Sequence, residues 1–379
     1  MDHTTIRKNI IRGLLNLPFN SVVIKYDYFL QWEVDYEANL EQITSFLALD
    51  DGRMAFGLST GYIIIWNVTT KNEDMVFSRH NSGVSYIRQL DSNRIVTSSD
   101  DTTLRIWNLE TGETENILQG HTVFISGLEI LPDNRIVSSE GFNGSGNTII
   151  IWSGTNYSDR TFLNGHQNSI TDIVLFGNKI VSASEDRTIK VWDSETGELE
   201  NSIDTEDYVR KILVLPNNRI AFYSGFISEG QFKIITLNNK EIITNYVSGD
   251  VISNMIFENN ELYLVYRDPE DELYKIKILD VNTYQEREID VSSQGSFRLF
   301  GLPSGDVIIN SLERRFNSRI GGSPVTNTTY IFDGDNLRIV NNRYMTNKFY
   351  ISKFGKVISQ YYESKPFGGG SISYFYLWR

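Results

Sequence analysis

Apolar and polar positions along the chain form short runs, and the runs repeat. Four end in tryptophan: GYIIIW, TTLRIW, NTIIIW and RTIKVW, with Trp66, Trp107, Trp152 and Trp192 lying 41, 45 and 40 residues apart. Short runs rich in β-branched and aromatic residues predict strands. A tight-turn signature recurs beside them: LDDGR, LDSNR, LPDNR, LFGNK, LPNNR, FENNE, LPSGD and SKFGK. Its Asn or Gly stands at Gly52, Asn93, Asn134, Asn178, Asn218, Asn260, Gly305 and Gly355, in steps of 41, 41, 44, 40, 42, 45 and 50 residues. Asn and Gly suit hairpin turns that require positive φ. Weaker copies of the tryptophan run (QFKIIT, YKIKILD, TTYIFD and SYFYLW) carry the register to Trp378. The period predicts an all-β chain of eight units, each of four short strands a to d, with the turn joining a to b and the Trp position late in c.

Gly120-His121 and Gly165-His166 precede strand a, Trp192-Asp193 ends a strand c, and SSDDTTLRIWN and SASEDRTIKVWD match one another. In these residues the chain resembles the WD-repeat (WD40) β-propeller family, in detail over about residues 80–193. The resemblance implies a closed β-propeller of four-stranded blades, eight by the turn count or alternatively seven with a divergent tail. It also implies structural tetrads: His80, Thr97, Asp101 and Trp107 in one blade, His166, Ser182, Asp186 and Trp192 in another. Between them His121, Ser138 and Trp152 are in place, but GFNGSGN replaces the segment with the aspartate, so that tetrad is expected to be broken.

The last unit has no strand d after SYFYLW, whereas YFLQWEV at residues 28–34 is an orphan strand, with Tyr28, Leu30, Trp32 and Val34 expected on one face. An unpaired sheet edge invites association, so this N-terminal strand is expected to complete the last blade and close the ring. Residues 1–25 remain as an N-terminal arm beside a propeller over residues 26–379. In the arm Ile6, Ile10, Leu14 and Leu17 form a helical stripe opposite Arg7, Lys8 and Arg12, stopped near Pro18.

Composition narrows the function. A formal charge of −13 opposes broad binding to nucleic acid or to an anionic membrane. The absence of cysteine removes disulfides, thiol nucleophiles and Cys-ligated metals. No apolar run is long enough to span a bilayer, and the N-terminus has no signal-peptide h-region. The expected location is cytoplasmic. Heavy use of Asn and Ile suggests an AT-rich genome, such as that of a protist or a giant DNA virus; a viral protein would sit in the host cytoplasm or the virion.

Candidate chemistry is thin. His80, His121 and His166 occupy equivalent repeat positions, which marks architecture rather than catalysis. DPEDE at Asp268–Glu272 lacks the ligand spacing of a calcium loop, and neither glycine-rich segment, GFNGSGN or PFGGGS, is a phosphate cradle. No catalytic residue, metal or cofactor is expected. The long connections (140–147, 225–231, about 313–327 and 364–371) all join strands b and c, so one end of the sheets is elaborated and the other plain. Arg314, Arg315, Phe316 and Arg319, with Lys365 and Phe367 of the next unit, are the partner-binding candidates, suited to an acidic or phosphorylated peptide. The expected function is a non-enzymatic protein-interaction scaffold, monomeric alone, using the b–c/d–a face. An alternative is a substrate-receptor or adaptor subunit docked through residues 1–25 to a ubiquitin ligase or virion layer; a propeller hydrolase is the remaining one.

Overall fold

The tryptophan-ending runs are strands buried on both faces, which is why they read as unbroken apolar stretches rather than as alternation. Ile63 to Trp66 and Ile149 to Trp152 are buried residue for residue. The computed structural model describes residues 30–38, 43–67, 70, 72–225, 231–237, 242–247, 254–268, 271–293, 297–301, 307–314, 325–332, 337–341, 348–351, 357–364 and 371–378. Residues 1–25, expected to form an amphipathic arm, lie outside them. The chain divides into two compact units, Ile43–Ile252 and Met1–Gln42 with Ser253–Arg379.

After β1 (Leu30–Ala38), the Ile43–Ile252 unit holds five antiparallel sheets among the described residues, each of four strands in chain order. The Trp66 sheet is β2 (Ile43–Ala48), β3 (Met54–Leu58), β4 (Ile63–Asn67) and β5 (Asn72–Phe77). The Trp107 sheet is β6 (Val84–Gln89), β7 (Arg94–Ser99), β8 (Leu104–Asn108) and β9 (Thr114–Leu118). The Trp152 sheet is β10 (Ile125–Ile130), β11 (Ile136–Glu140), β12 (Thr148–Ser153) and β13 (Asp159–Asn164). The Trp192 sheet is β14 (Ile170–Phe176), β15 (Lys179–Ser184), β16 (Thr188–Asp193) and β17 (Leu199–Asp204). The Ile235 sheet is β18 (Val209–Leu215), β19 (Arg219–Ser224), β20 (Gln231–Thr236) and β21 (Ile242–Val247).

The core lies between successive sheets. Val96, Leu104 and Ile106 of one sheet pack with Leu128, Ile136 and Ile150 of the next, and Val137, Ile149 and Ile151 pack with Ile173, Ile180 and Trp192. At side-chain scale, each such residue contributes about 1.5–3 kcal/mol by leaving water. First strands of neighbouring sheets are also tied by polar bonds. The Tyr86 hydroxyl donates to the Ser126 carbonyl at 2.7 Å, and the Thr171 hydroxyl to that of Val209 at 2.7 Å.

The a–b turns have a shared lock. The N–H just after strand c donates to the carbonyl of the turn Asn, as in Leu109 to Asn93 (2.8 Å), Ser194 to Asn178 (2.9 Å), Leu237 to Asn218 (2.8 Å) and Val281 to Asn260 (2.9 Å). Positive φ falls on Gly52, Asn134, Asn218 and Asn260, but Gly177 rather than Asn178 takes it in LFGNK, and Asn93 does not take it. In the Asn93 turn, the Asp91 carboxylate instead accepts from the Asn93 N–H at 2.9 Å and so holds the backbone.

In the other unit β22 (Asn254–Glu258), β23 (Glu261–Arg267), β24 (Tyr274–Asp280) and β25 (Glu286–Ser293) form one sheet. A second is β26 (Phe297–Gly301), β27 (Val307–Arg314), β28 (Val325–Phe332) and β29 (Leu337–Asn341). The third takes β30 (Lys348–Ile351), β31 (Val357–Ser364) and β32 (Ser371–Trp378) and adds the N-terminal strand, in the order β1, β32, β31, β30. β1 runs antiparallel to β32 from Leu30 opposite Trp378 to Ala38 opposite Ser371. A register irregularity between Leu30 and Trp32 interrupts the strict alternation expected over residues 28–34, and Tyr28 lies outside the described residues.

Removal of β1 leaves the outer edge of β32 without its partner strand. A fragment starting at residue 39 is therefore expected to form oligomers by edge pairing, whereas one starting at residue 26 stays monomeric. Size-exclusion chromatography separates the two. A monomeric fragment 39–379 melting at the full-length temperature would contradict the β1–β32 pairing.

Candidate functional site

A hydroxyl on the second strand of a sheet is the point where three parts of the repeat meet. Trp107 Nε1 on β8 donates to Thr97 Oγ1 on β7 at 2.8 Å, and that oxygen lies 2.8 Å from Nε2 of His80, in the connection ahead of β6. The ionised Asp101 carboxylate can only accept, so Nδ1 of the neutral ring donates to it and Nε2 accepts the threonine's proton. The bonding therefore assigns the imidazole proton to Nδ1, which donates to Asp101 Oδ2 at 3.1 Å. Asp101 also accepts from the Asn81 N–H at 2.8 Å and from the Thr103 N–H and hydroxyl at 3.0 and 2.7 Å. Burial lowers the pKa of His80 and outweighs the opposing pull of Asp101, which keeps the ring neutral. Burial also opposes the charge on Asp101, but the bonds from His80, Thr103 and Asn81 together hold its carboxyl well below the usual range.

The Trp192 sheet repeats the arrangement. Ser182 Oγ accepts from Trp192 Nε1 at 2.9 Å and lies 2.7 Å from His166 Nε2, while His166 Nδ1 is 2.8 Å from Asp186 Oδ2. In the Trp152 sheet, Ser138 Oγ lies 2.8 Å from Trp152 Nε1 and 2.7 Å from His121 Nε2. The expectation that this third network is broken is corrected. Glu140 Oε2 lies 3.3 Å from His121 Nδ1 and accepts from the Thr122 N–H at 2.7 Å, where an aspartate stands in the other two. Asp101 and Asp186 come four residues after the shared hydroxyl and Glu140 only two, so the extra methylene of glutamate supplies the reach. Glycine ahead of His166 is required by the Trp192 ring, since a Cβ at Gly165 would stand 2.9 Å from Trp192 Cη2, whereas Arg79 precedes His80.

These histidines commit both ring nitrogens to the networks, so none is placed as a free base. Asp268 and Asp271 of the acidic segment are paired with Lys275, and Glu272 with Arg267 at 3.1 Å. Among the described residues no group of three or more His, Asp or Glu could hold a metal ion, and no helix is long and apolar enough to cross a membrane. Of the partner-binding candidates, Arg314 ends β27, so strand extends into the segment read as loop from residue 313. Arg315, Phe316, Arg319, Lys365 and Phe367 lie outside the described residues.

The described part of the b–c/d–a end carries a different feature. Phe142, in the β11–β12 connection, packs on Phe124, in the β9–β10 connection, with ring centroids 4.5 Å apart and planes at 55°. The rings are 47% and 38% exposed, whereas Phe77, Phe222 and Phe232 of the same unit are covered; Phe162 on β13 is as exposed as Phe142. The loop presenting Phe142 is pinned. Phe142 and Ser145 exchange backbone bonds of 2.7 and 2.9 Å, Ser169 Oγ donates to the Ser145 carbonyl at 2.9 Å, and the Ile170 N–H to that of Gly146 at 3.2 Å. The sequence marks 140–147 as a long connection of the elaborated end but does not single out its phenylalanine. Each of the two connections at this end holds one phenylalanine, but the sequence does not show that the rings turn outward and meet.

Comparison with known proteins agrees with this geometry. The family model described as "WD domain, G-beta repeat" matches residues 72–108, 112–153 and 158–193. The periodic tryptophan protein 2 homolog of Caenorhabditis elegans is 29% identical over 162 residues, 42% of this chain and 18% of that protein. A ribosome biogenesis protein BOP1 homolog of Drosophila persimilis is 22% identical over 150 residues, 37% of this chain and 19% of that protein. The chain thus spans about a fifth of the length of these relatives. The crystal structure of the computationally designed Ika8 protein superposes with a TM-score of 0.67 at 18% identity, covering 90% of this chain and 97% of that one, a likeness of fold alone.

Two predictions follow from the networks. Glu140→Ala should destabilise by about 1–3 kcal/mol, because His121 and the Thr122 N–H lose their acceptor. Glu140→Asp should cost nearly as much, being too short by one methylene; a denaturation curve equal to wild type would refute the assigned reach. The second concerns acid. Asp101, Asp186 and Glu140 have pKa values depressed by folding, so their stabilisation is complete above the unfolded carboxylate range of about 4 and is lost as pH falls below it. His80, likewise depressed, begins to withdraw stability below about pH 6.5. Asp172, raised by burial against the pull of Lys211, acts in the opposite sense. The melting temperature should therefore decline from about pH 6.5 downward, more steeply below about pH 4; a flat profile to pH 3 would contradict the network.

Proposed function

From a chain that carries three WD repeats, we propose a non-enzymatic protein-interaction scaffold that binds its partner on the b–c/d–a face. The observation that carries this reading is the exposed Phe124–Phe142 pair on a pinned loop. Buried cores consume aromatic rings, and a ring held in water at a fixed place on a rigid framework is what a binding anchor requires. The histidines favour the non-enzymatic half of the reading, since each is tied at both nitrogens within its sheet. The same reading takes the sheets as blades of one closed ring of eight, with β1 completing the last blade, and the protein as a cytoplasmic monomer when alone.

Phe124→Ser with Phe142→Ser should leave the melting temperature within a degree or two, since surface substitutions typically shift stability by less than about 0.5 kcal/mol. Affinity capture from the native cell with the parent and the double variant, compared by mass spectrometry, should show a partner retained by the first and lost from the second. An identical partner set for both would remove the face assignment.

A further inference from the structure

The repeat places carboxylates on both sides of the phenylalanine pair. Equivalent backbone bonds mark one position in three successive sheets: the Asp100 N–H donates to the Gly83 carbonyl, the Gly141 N–H to that of Phe124 and the Glu185 N–H to that of Ser169, each at 3.0 Å. The sheets before and after the pair thus carry Asp100 and Glu185 where the Trp152 sheet has Gly141. A side chain is impossible at Gly141, because its Cβ would stand 2.2 Å from the Ile170 carbonyl oxygen. The ring of the next residue, Phe142, stands beside that position.

Both flanking carboxylates lack a cation among the described residues. Asp100 accepts only from the Ser85 hydroxyl, at 2.7 Å, and Glu185 has no ion pair. Three cations described near this end already have partners. Arg79 lies over the Tyr62 ring at 5.6 Å, Arg187 over Tyr208 at 5.5 Å, and Lys233 bonds Glu206 at 3.1 Å. What remains open is apolar ring surface on the sheet that lies between those carrying the two carboxylates.

We propose that Phe124, Phe142, Asp100 and Glu185 form one docking surface for a basic peptide, carrying Arg or Lys next to an apolar anchor. The anchor covers the rings, and the cation is held by ring faces and by carboxylate, interactions that reinforce one another where water is displaced. An acidic or phosphorylated peptide, the ligand suited to the arginines of residues 313–327, would be repelled here. The proposal rests on the scaffold reading and specifies its partner.

The test pans a phage-displayed library of random peptides on the full chain, subtracting peptides that also bind the Phe124→Ser, Phe142→Ser variant. Sequences dependent on the pair should carry Arg or Lys within a position or two of Leu, Ile or an aromatic residue. A synthetic peptide of the leading sequence should bind about tenfold more weakly to the Asp100→Asn, Glu185→Gln protein, and similarly when its Arg or Lys becomes Gln. Melting curves that match the parent establish that both variants are folded. Pair-dependent sequences that are acidic or uncharged would overturn the basic-peptide proposal and leave the scaffold reading standing, as would unchanged affinity for the carboxylate variant. Failure to recover any pair-dependent sequence would overturn the docking surface and the scaffold's assigned face together.

Discussion

One buried hydroxyl in each of three successive sheets, on Thr97, Ser138 and Ser182, carries the geometry of the repeats around it. It has one proton and two lone pairs, and each network uses the proton toward histidine and a lone pair toward tryptophan. That polarises a chain from indole N–H through hydroxyl and imidazole to a carboxylate, in surroundings where an unmatched polar group costs about 1–3 kcal/mol. The apolar core between sheets tolerates many arrangements of similar volume, whereas this chain of bonds tolerates one. It locks strands b and c together and fixes the connection ahead of strand a. The connections at that end are therefore held by the sheet rather than by their own sequence.

The glutamate in the Trp152 sheet shows how such a framework acquires a site. In the neighbouring sheets the carboxylate sits on a tight b–c turn, which a serine two residues after the shared hydroxyl holds in place: Ser99 Oγ accepts from the Asp101 N–H and Ser184 Oγ from the Asp186 N–H, both at 3.0 Å. Glu140 occupies the position of those serines and delivers its carboxylate from the strand itself. The turn no longer has to present an aspartate, so the connection is released from that constraint. Residues 141–147 use the release to carry Phe142 onto Phe124. The network departure and the exposed ring pair are thus one structural event.

What was legible in the sequence follows from what the physics constrains locally. Hairpin turns demand Asn or Gly, and doubly buried strands demand apolar runs, so the period and strand order could be read. The N-terminal strand was readable because a β-rich run with no neighbour must pair somewhere. Glu140 was not readable, since the spacing from Ser138 differs from that in both neighbours and the substitution depends on reach in three dimensions. Nor was the pairing of Phe124 with Phe142, eighteen positions apart on different connections, because a phenylalanine in a loop looks the same whether it turns inward or outward. Asn178 and Asn93 mark a subtler limit. The turn residue type was right, but a neighbouring glycine or a capping aspartate took over the backbone requirement.

Rigidity at the ring pair matters as much as its exposure. Binding through a mobile loop sacrifices affinity to ordering, at about 0.5–1.5 kcal/mol for each immobilised side chain and more for backbone. Here the ordering is already complete: reciprocal Phe142–Ser145 bonds close the loop on itself, and Ser169 and Ile170 anchor it to the next sheet. Ser169 and Ile170 in turn sit just after His166, whose ring is fixed by Ser182 and Asp186. The pair is therefore supported from two networks, that of His121 in the same connection as Phe124 and that of His166 beyond the loop. A contact made on these rings would retain most of its interaction free energy, because neither connection has to be reorganised to receive it.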